Sequence, residues 1–168
     1  MRKSVGILFC LSLVFSLSPF LTAQSNQEEL DQKELMKQFT GNWITNYDEG
    51  TVMKFHVKPL GDGYELYLIW ENEGEFDHID RGVMGLTSDN SVSEAWIWTN
   101  TGLLTTDYGK FTSEKFFTSE RHNSLNGKVN SIFEFEFIEP GKMKMVHKWG
   151  VNGPPEEAGQ SEFIWTKE

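Results

Sequence analysis

The chain has 168 residues, 38% hydrophobic, 14% aromatic and 24% charged, with a single cysteine and a formal net charge of -10. That length suits one domain with one sizeable core, and the aromatic content excludes disordered, collagenous and coiled-coil chains. An acidic surface, with pI about 4.9, repels phosphate backbones and anionic lipid and so argues against nucleic acid and against peripheral membrane binding.

The N-terminus opens on the cationic Met1-Arg2-Lys3, continues through the apolar run from Val5 to Phe15, and reaches small residues at Leu21-Thr22-Ala23. This pattern reads as a secretory signal peptide over residues 1–23. The run is shorter than the ~20 residues of a membrane-spanning helix, so no membrane insertion is expected after cleavage. Residues 24–168 then form a single domain that is secreted or periplasmic. Cys10 leaves with the peptide. The mature chain is left with no thiol for a disulfide, a cysteine nucleophile, a zinc-thiolate site or an iron–sulfur cluster.

Ser25-Asn26-Gln27-Glu28 fits a capping box and predicts a short helix running to about Gln38, with Leu35 and Phe39 on one apolar stripe, placed as a lid or plug. From Gly41 onward no 3.6-residue period persists. Short runs of Val, Ile, Phe, Tyr, Trp and Thr alternate between Gly, Asn, Asp and Pro punctuation, which predicts strands near 42–48, 51–58, 63–71, 76–87, 92–99, 103–110, 115–121, 128–138, 142–150 and 160–167. The expected count is eight to ten.

The strongest local inference is the hairpin from Ser131 to Gly150. Phe133, Phe135 and Phe137 alternate with glutamates, and Met143, Met145, His147 and Trp149 alternate with lysines and Val146. A loop Glu139-Pro140-Gly141 with a left-handed glycine sets Phe137 opposite Met143, Phe135 opposite Met145 and Phe133 opposite His147, leaving Glu136 to face Lys144 outside. A two-residue loop would place the phenylalanines opposite lysines, so the burial pattern selects the register. Met53, Phe55 and Val57 form one face before the Gly61-Asp62-Gly63 turn, and Tyr64, Leu66, Leu68 and Trp70 form one face after it. Consecutive one-sided hairpins must bury that face, and closing on themselves also removes exposed edges. The expected fold is all-β: an antiparallel up-and-down β-barrel with a short N-terminal helix.

Phe39-Thr40-Gly41-Asn42-Trp43 resembles the Gly-x-Trp opening of the calycin superfamily, the lipocalins and fatty-acid-binding proteins, with Gly41 and Trp43 matching the motif. The middle of the chain, with Gly82-x-x-Gly85, Trp98, Gly102 and Tyr108-Gly109-Lys110, is similar to bacterial lipocalin-like secreted proteins. The resemblance implies a short helix leading into a first strand whose tryptophan closes one end of the barrel. The arginine that usually packs on that tryptophan is missing from the last strand, where only Lys167 stands in a comparable place.

Phe55, Leu66, Leu68, Trp70, Phe133, Phe135, Phe137, Met143, Met145, His147 and Trp149 are the candidate ligand-binding residues of the barrel interior. A lining of aromatics and methionines suits a small hydrophobic molecule; the alternative is a fully packed core. His147 shares a face with Met143, Met145 and Trp149, where an imidazole serves as a core residue, a haem ligand or a general base. Phe76, His78 and Asp80 fall on one predicted face, offering a metal or acid–base pair, and His56 and Glu65 read as a solvated cross-strand pair. No Gly-x-Ser-x-Gly elbow, phosphate loop, His-Glu-x-x-His helix or dinucleotide fingerprint occurs in the sequence. The expectation is a monomeric binding barrel for a small hydrophobic or amphipathic ligand, with no cofactor or metal. The alternatives are an enzyme using His147 or His78/Asp80, haem binding through His147, and a filled barrel acting through a surface patch that includes Trp96 or Trp98. The loop Gly150 to Gly159 either gates the mouth or joins two strands.

Overall fold

The computed structural model describes residues 30–123, 129–152 and 158–168. The predicted signal peptide at 1–23, the predicted capping box at 25–28 and residues 153–157 of the candidate gating loop lie outside the described residues. Ten strands alternate with short connections: β1 (Gly41–Asn46), β2 (Thr51–Leu60), β3 (Gly63–Asn72), β4 (Glu75–Leu86), β5 (Val92–Trp98), β6 (Leu103–Phe111), β7 (Phe116–Asn123), β8 (Val129–Glu139), β9 (Lys142–Trp149) and β10 (Gly159–Lys167). Each pairs antiparallel with the next, and β1 pairs with β10, closing a ten-stranded up-and-down barrel. All ten predicted strands are present, and the count falls at the upper end of the expected range.

The β8–β9 ladder has the expected register, with Phe137 opposite Met143, Phe135 opposite Met145, Phe133 opposite His147 and Glu136 opposite Lys144. Pairing resumes at Glu139 and Lys142, so Ile138 is absorbed as a bulge beside the turn, and Gly141 takes the left-handed φ of +80°. Outside the barrel, Lys144 pairs with Glu162 of β10 at 2.7 Å, the carboxylate on the neighbouring strand, rather than with Glu136. Likewise His56 faces Tyr67 across β2–β3, and Glu65 accepts the Tyr67 hydroxyl at 2.6 Å, so the predicted His56/Glu65 pair does not form.

The helix α1 (Gln32–Met36) starts after Asp31, whose Oδ1 accepts from the Glu34 amide at 3.0 Å, and passes into a 3₁₀ turn over Lys37–Phe39. Its buried face is Gln32, Met36 and Phe39, with Leu35 only partly covered. Gln32 and Met36, four apart on one face of α1, form the buried stripe, and Phe39 joins it from the 3₁₀ turn. Gln32 docks the helix like a strand edge: its Nε2 donates to the Phe111 carbonyl at 3.1 Å, and its Oε1 accepts from the Phe111 amide at 2.6 Å. Phe39 then enters the barrel end and meets Phe117, Phe135 and Phe137 edge-on at 5.0–5.4 Å.

The same end holds Trp43, which is fully buried. Its indole N–H donates to the Phe39 carbonyl at 2.6 Å, and the Lys167 ammonium lies 4.7 Å from its ring centroid. Lys167 therefore does occupy the face of this tryptophan. Gly41 makes room for it, because a Cβ there would sit 3.2 Å from Lys167 Cε, and its φ of +126° disfavours any other residue. Trp43→Ala should lower unfolding stability by about 3–5 kcal/mol, whereas Lys144→Ala on the outer face should stay within about 0.5 kcal/mol. Urea denaturation of both variants checks this ranking.

Candidate functional site

Above the packed end, the barrel interior holds a cavity of about 240 Å³. Seven of the eleven predicted ligand residues line it: Phe55, Leu68, Trp70, Phe133, Phe135, Met145 and His147. Leu66, Phe137 and Met143 also point inward but lie at the closed end, buried in the core below the cavity. Trp149 stands at the opposite end, 37% exposed, with its ring 5.4 Å from His147. Gly41 and Trp43 belong to the closed end and do not line the cavity. Alternation thus identified the inward face, but depth along the barrel axis is not encoded in a period of two.

Trp96 and Trp98 point inward and line the cavity, so neither contributes to the outer patch considered for a surface module. They stack on each other at 5.7 Å, and Phe55 lies 6.1 Å from Trp96. The Arg121 guanidinium lies between Trp98 and Phe133, at 4.5 Å and 4.6 Å from their ring centroids. On Phe133, His147 is stacked at 4.4 Å, nearly parallel. A continuous belt of flat groups therefore runs around the cavity from His147 to Phe55.

Three charged side chains are set into this apolar wall. Asp107 of β6 and Arg121 of β7 stand opposite each other in the ladder and form a bidentate pair, with Arg121 Nε donating to Oδ1 at 2.9 Å and Nη2 to Oδ2 at 2.8 Å. Glu94 of β5 also faces Asp107 and accepts from the Trp96 indole at 2.9 Å. Desolvation, reinforced by the Asp107 charge, pushes the Glu94 carboxyl up to about 7. Burial and the nearby Arg121 charge lower His147 to about 4, so its imidazole is neutral at pH 7. His147 Nε2 and Trp165 Nε1 are buried among the cavity walls without a hydrogen-bond partner.

Glu94, Asp107, Ser119 and Arg121 were not among the predicted site residues, although their parity was readable. Asp107 lies an even step from Phe111, Arg121 an even step from Phe117, and Glu94 from Val92 and Trp96. Parity alone places Glu94, Asp107 and Arg121 on the inward face, against the general tendency of charged residues to face water.

The His78/Asp80 pair is placed differently from the prediction. A bulge in β3–β4 sets Trp70 opposite His78 but Glu71 opposite Phe76, so Asp77 is the extra residue and Phe76 turns outward, 65% exposed. Asp80 is fully buried, and both of its oxygens are engaged, by the Trp70 indole at 3.0 Å and the Thr99 amide at 2.8 Å. His78 Nε2 stays 3.6 Å from it, beyond hydrogen-bond distance, and its ring stacks on Trp70. Asp80 is a tie between β3, β4 and the end of β5, and neither residue lines the cavity. Among the described residues, no group of three or more His, Cys, Asp or Glu is arranged to hold a metal ion.

Comparison with protein-family models, curated proteins and solved structures gives no match. The fold and the interior site define the class: a closed antiparallel barrel of calycin-like form with an apolar cavity and a buried charge cluster.

The two shifted groups act on stability in opposite senses. An acid whose folded pKa is raised binds more protons folded than unfolded, so Glu94 makes stability fall as pH rises from its ordinary 4.5 to about 7. A histidine whose folded pKa is lowered does the reverse, and His147 makes stability rise from about 4 to 6.5. The two slopes offset each other where they overlap, so each must be isolated. Glu94→Gln should raise the melting temperature relative to the parent at pH 8 by more than at pH 5. Equal shifts at both pH values would refute the raised carboxyl.

Proposed function

We propose that this protein is an exported, lipocalin-like barrel that binds one small, mostly apolar molecule in its interior and works as a monomer. The observation that carries the reading is the cavity itself: a concave, aromatic- and methionine-lined space with a few convergent polar groups is the usual form of a small-molecule site. Its volume, about 240 Å³, lies below the roughly 300–1,000 Å³ of pockets for drug-sized ligands. The occupant is accordingly compact, and a haem-sized macrocycle would require the barrel to widen.

The distribution of charge supports a barrel in water. A membrane barrel has an apolar outer band and a polar lumen. Here the interior is mostly apolar, apart from the Glu94, Asp107 and Arg121 cluster, and the outer face carries the ion pairs Lys54–Glu71, Lys144–Glu162 and Lys148–Glu134. No helix among the described residues is long and apolar enough to cross a membrane. The pattern at residues 1–23 supports export before folding. Removal of the peptide leaves a chain with no cysteine, whose stability rests on the closed sheet and its core.

The binding reading is tested with the neutral fluorescent probe N-phenyl-1-naphthylamine. The mature protein should bind it one to one, and native mass spectrometry should show a single chain with one probe. Met145→Trp, which fills the cavity from β9, should weaken binding by roughly tenfold or more, equivalent to about 1.4 kcal/mol, while Lys144→Ala should leave it within about twofold. Equal retention by the two variants, with circular dichroism showing both folded, would rule out the interior as the binding site.

A further inference from the structure

We infer that the cavity selects uncharged, hydroxyl-bearing apolar molecules and rejects carboxylates, because Glu94 and Asp107 already outnumber its one cation, Arg121. The inference rests on the binding reading above and specifies the ligand's head group. Arg121 is the only cationic side chain among the described residues lining the cavity. Its Nε and Nη2 both donate to Asp107, and its Cζ lies over the rings of Trp98 and Phe133 at 4.5 Å and 4.6 Å. The side chains of the pair are 14% and 3% exposed, so the contact is made away from water, where breaking a bidentate pair is costly.

A carboxylate entering this space would be a third acidic group beside Glu94 and Asp107. It would lose its hydration while the one cation present is already neutralised by Asp107, and buried charge that is not balanced is strongly disfavoured. His147 does not supply one, because it is neutral at pH 7. The polar groups of the wall are of another kind. Glu94 lines the same space with the Trp96 indole on one oxygen, while His147 Nε2 and Trp165 Nε1 lie covered within the wall, without a hydrogen-bond partner. An alcohol, which both donates and accepts, satisfies a carboxyl such as Glu94 without bringing charge into the barrel.

The test compares 1-octanol with octanoate, matched in chain length, by isothermal titration calorimetry of the mature protein at pH 8. At this pH octanoate is ionised and His147 is neutral. Octanol should bind, and octanoate should bind at least about tenfold more weakly. Octanoate binding as tightly as octanol would overturn the selectivity while leaving the cavity reading intact. Failure of octanol, octanoate and the naphthylamine alike would overturn the cavity reading itself. In Asp107→Asn, where Arg121 is released, the ratio of octanoate to octanol affinity should rise by at least about tenfold. An unchanged ratio in a folded Asp107→Asn would show that the occupied guanidinium is not what excludes carboxylates. Should that variant fail to fold, the comparison in the parent protein still decides the selectivity.

Discussion

Everything inside this barrel depends on the seam between its first and last strands. β1 and β10 share only the ladder positions Trp43–Lys167 and Ile44–Thr166, whereas β1 and β2 share six. Three further contacts extend the short seam. Thr45 Oγ1 donates to the Ile164 carbonyl at 2.8 Å, the Glu168 amide donates to the Asn42 carbonyl at 3.0 Å, and the Lys167 ammonium covers the Trp43 ring. Closure removes the two edges that an open ten-stranded sheet would expose. It also creates the water-poor interior in which a carboxyl such as Glu94 holds its proton toward neutrality.

Closure alone would not leave a cavity. The packed end is filled by rings that meet edge-on or tilted around Phe39, with Phe111, Phe117 and Phe137 within 6.0 Å of one another or of Phe39. Phe39 reaches this position because Gln32 clamps the helix to Phe111 and the 3₁₀ turn brings the chain back over the barrel end. The N-terminal element is thus part of the core rather than an appendage. The floor of the cavity is only as firm as its docking.

Much of this was legible in the sequence, for a physical reason. In one-sided antiparallel strands the apolar pattern has a period of two, and the Phe133–Phe137 and Met143–Trp149 runs state it without interruption, so the strands and their register followed from burial alone. Three things did not follow. Depth was invisible, because Met143 and Met145 have the same parity yet one is core and the other cavity wall. The bulge at Asp77 broke the parity that had grouped Phe76 with His78. And inward charges ran against the rule that polar residues face water, a rule that fails where opposite charges meet across a ladder, as Asp107 and Arg121 do.

That buried pair is hard to account for as a source of stability, since replacing such a pair with well-packed apolar residues is often neutral or favourable. Its geometry suggests a different role in the architecture. The guanidinium is planar, is held from its edge by two hydrogen bonds, and lies between the faces of Trp98 and Phe133. A flexible apolar side chain in its place would be free to change rotamer and let the two rings approach. Arg121 is tied to Asp107 at two points, touches both rings, and continues through Phe133 to the stack with His147. In a wall otherwise built of adaptable methionines and aromatics, such a two-point contact defines the side chain's orientation more narrowly than apolar packing alone does.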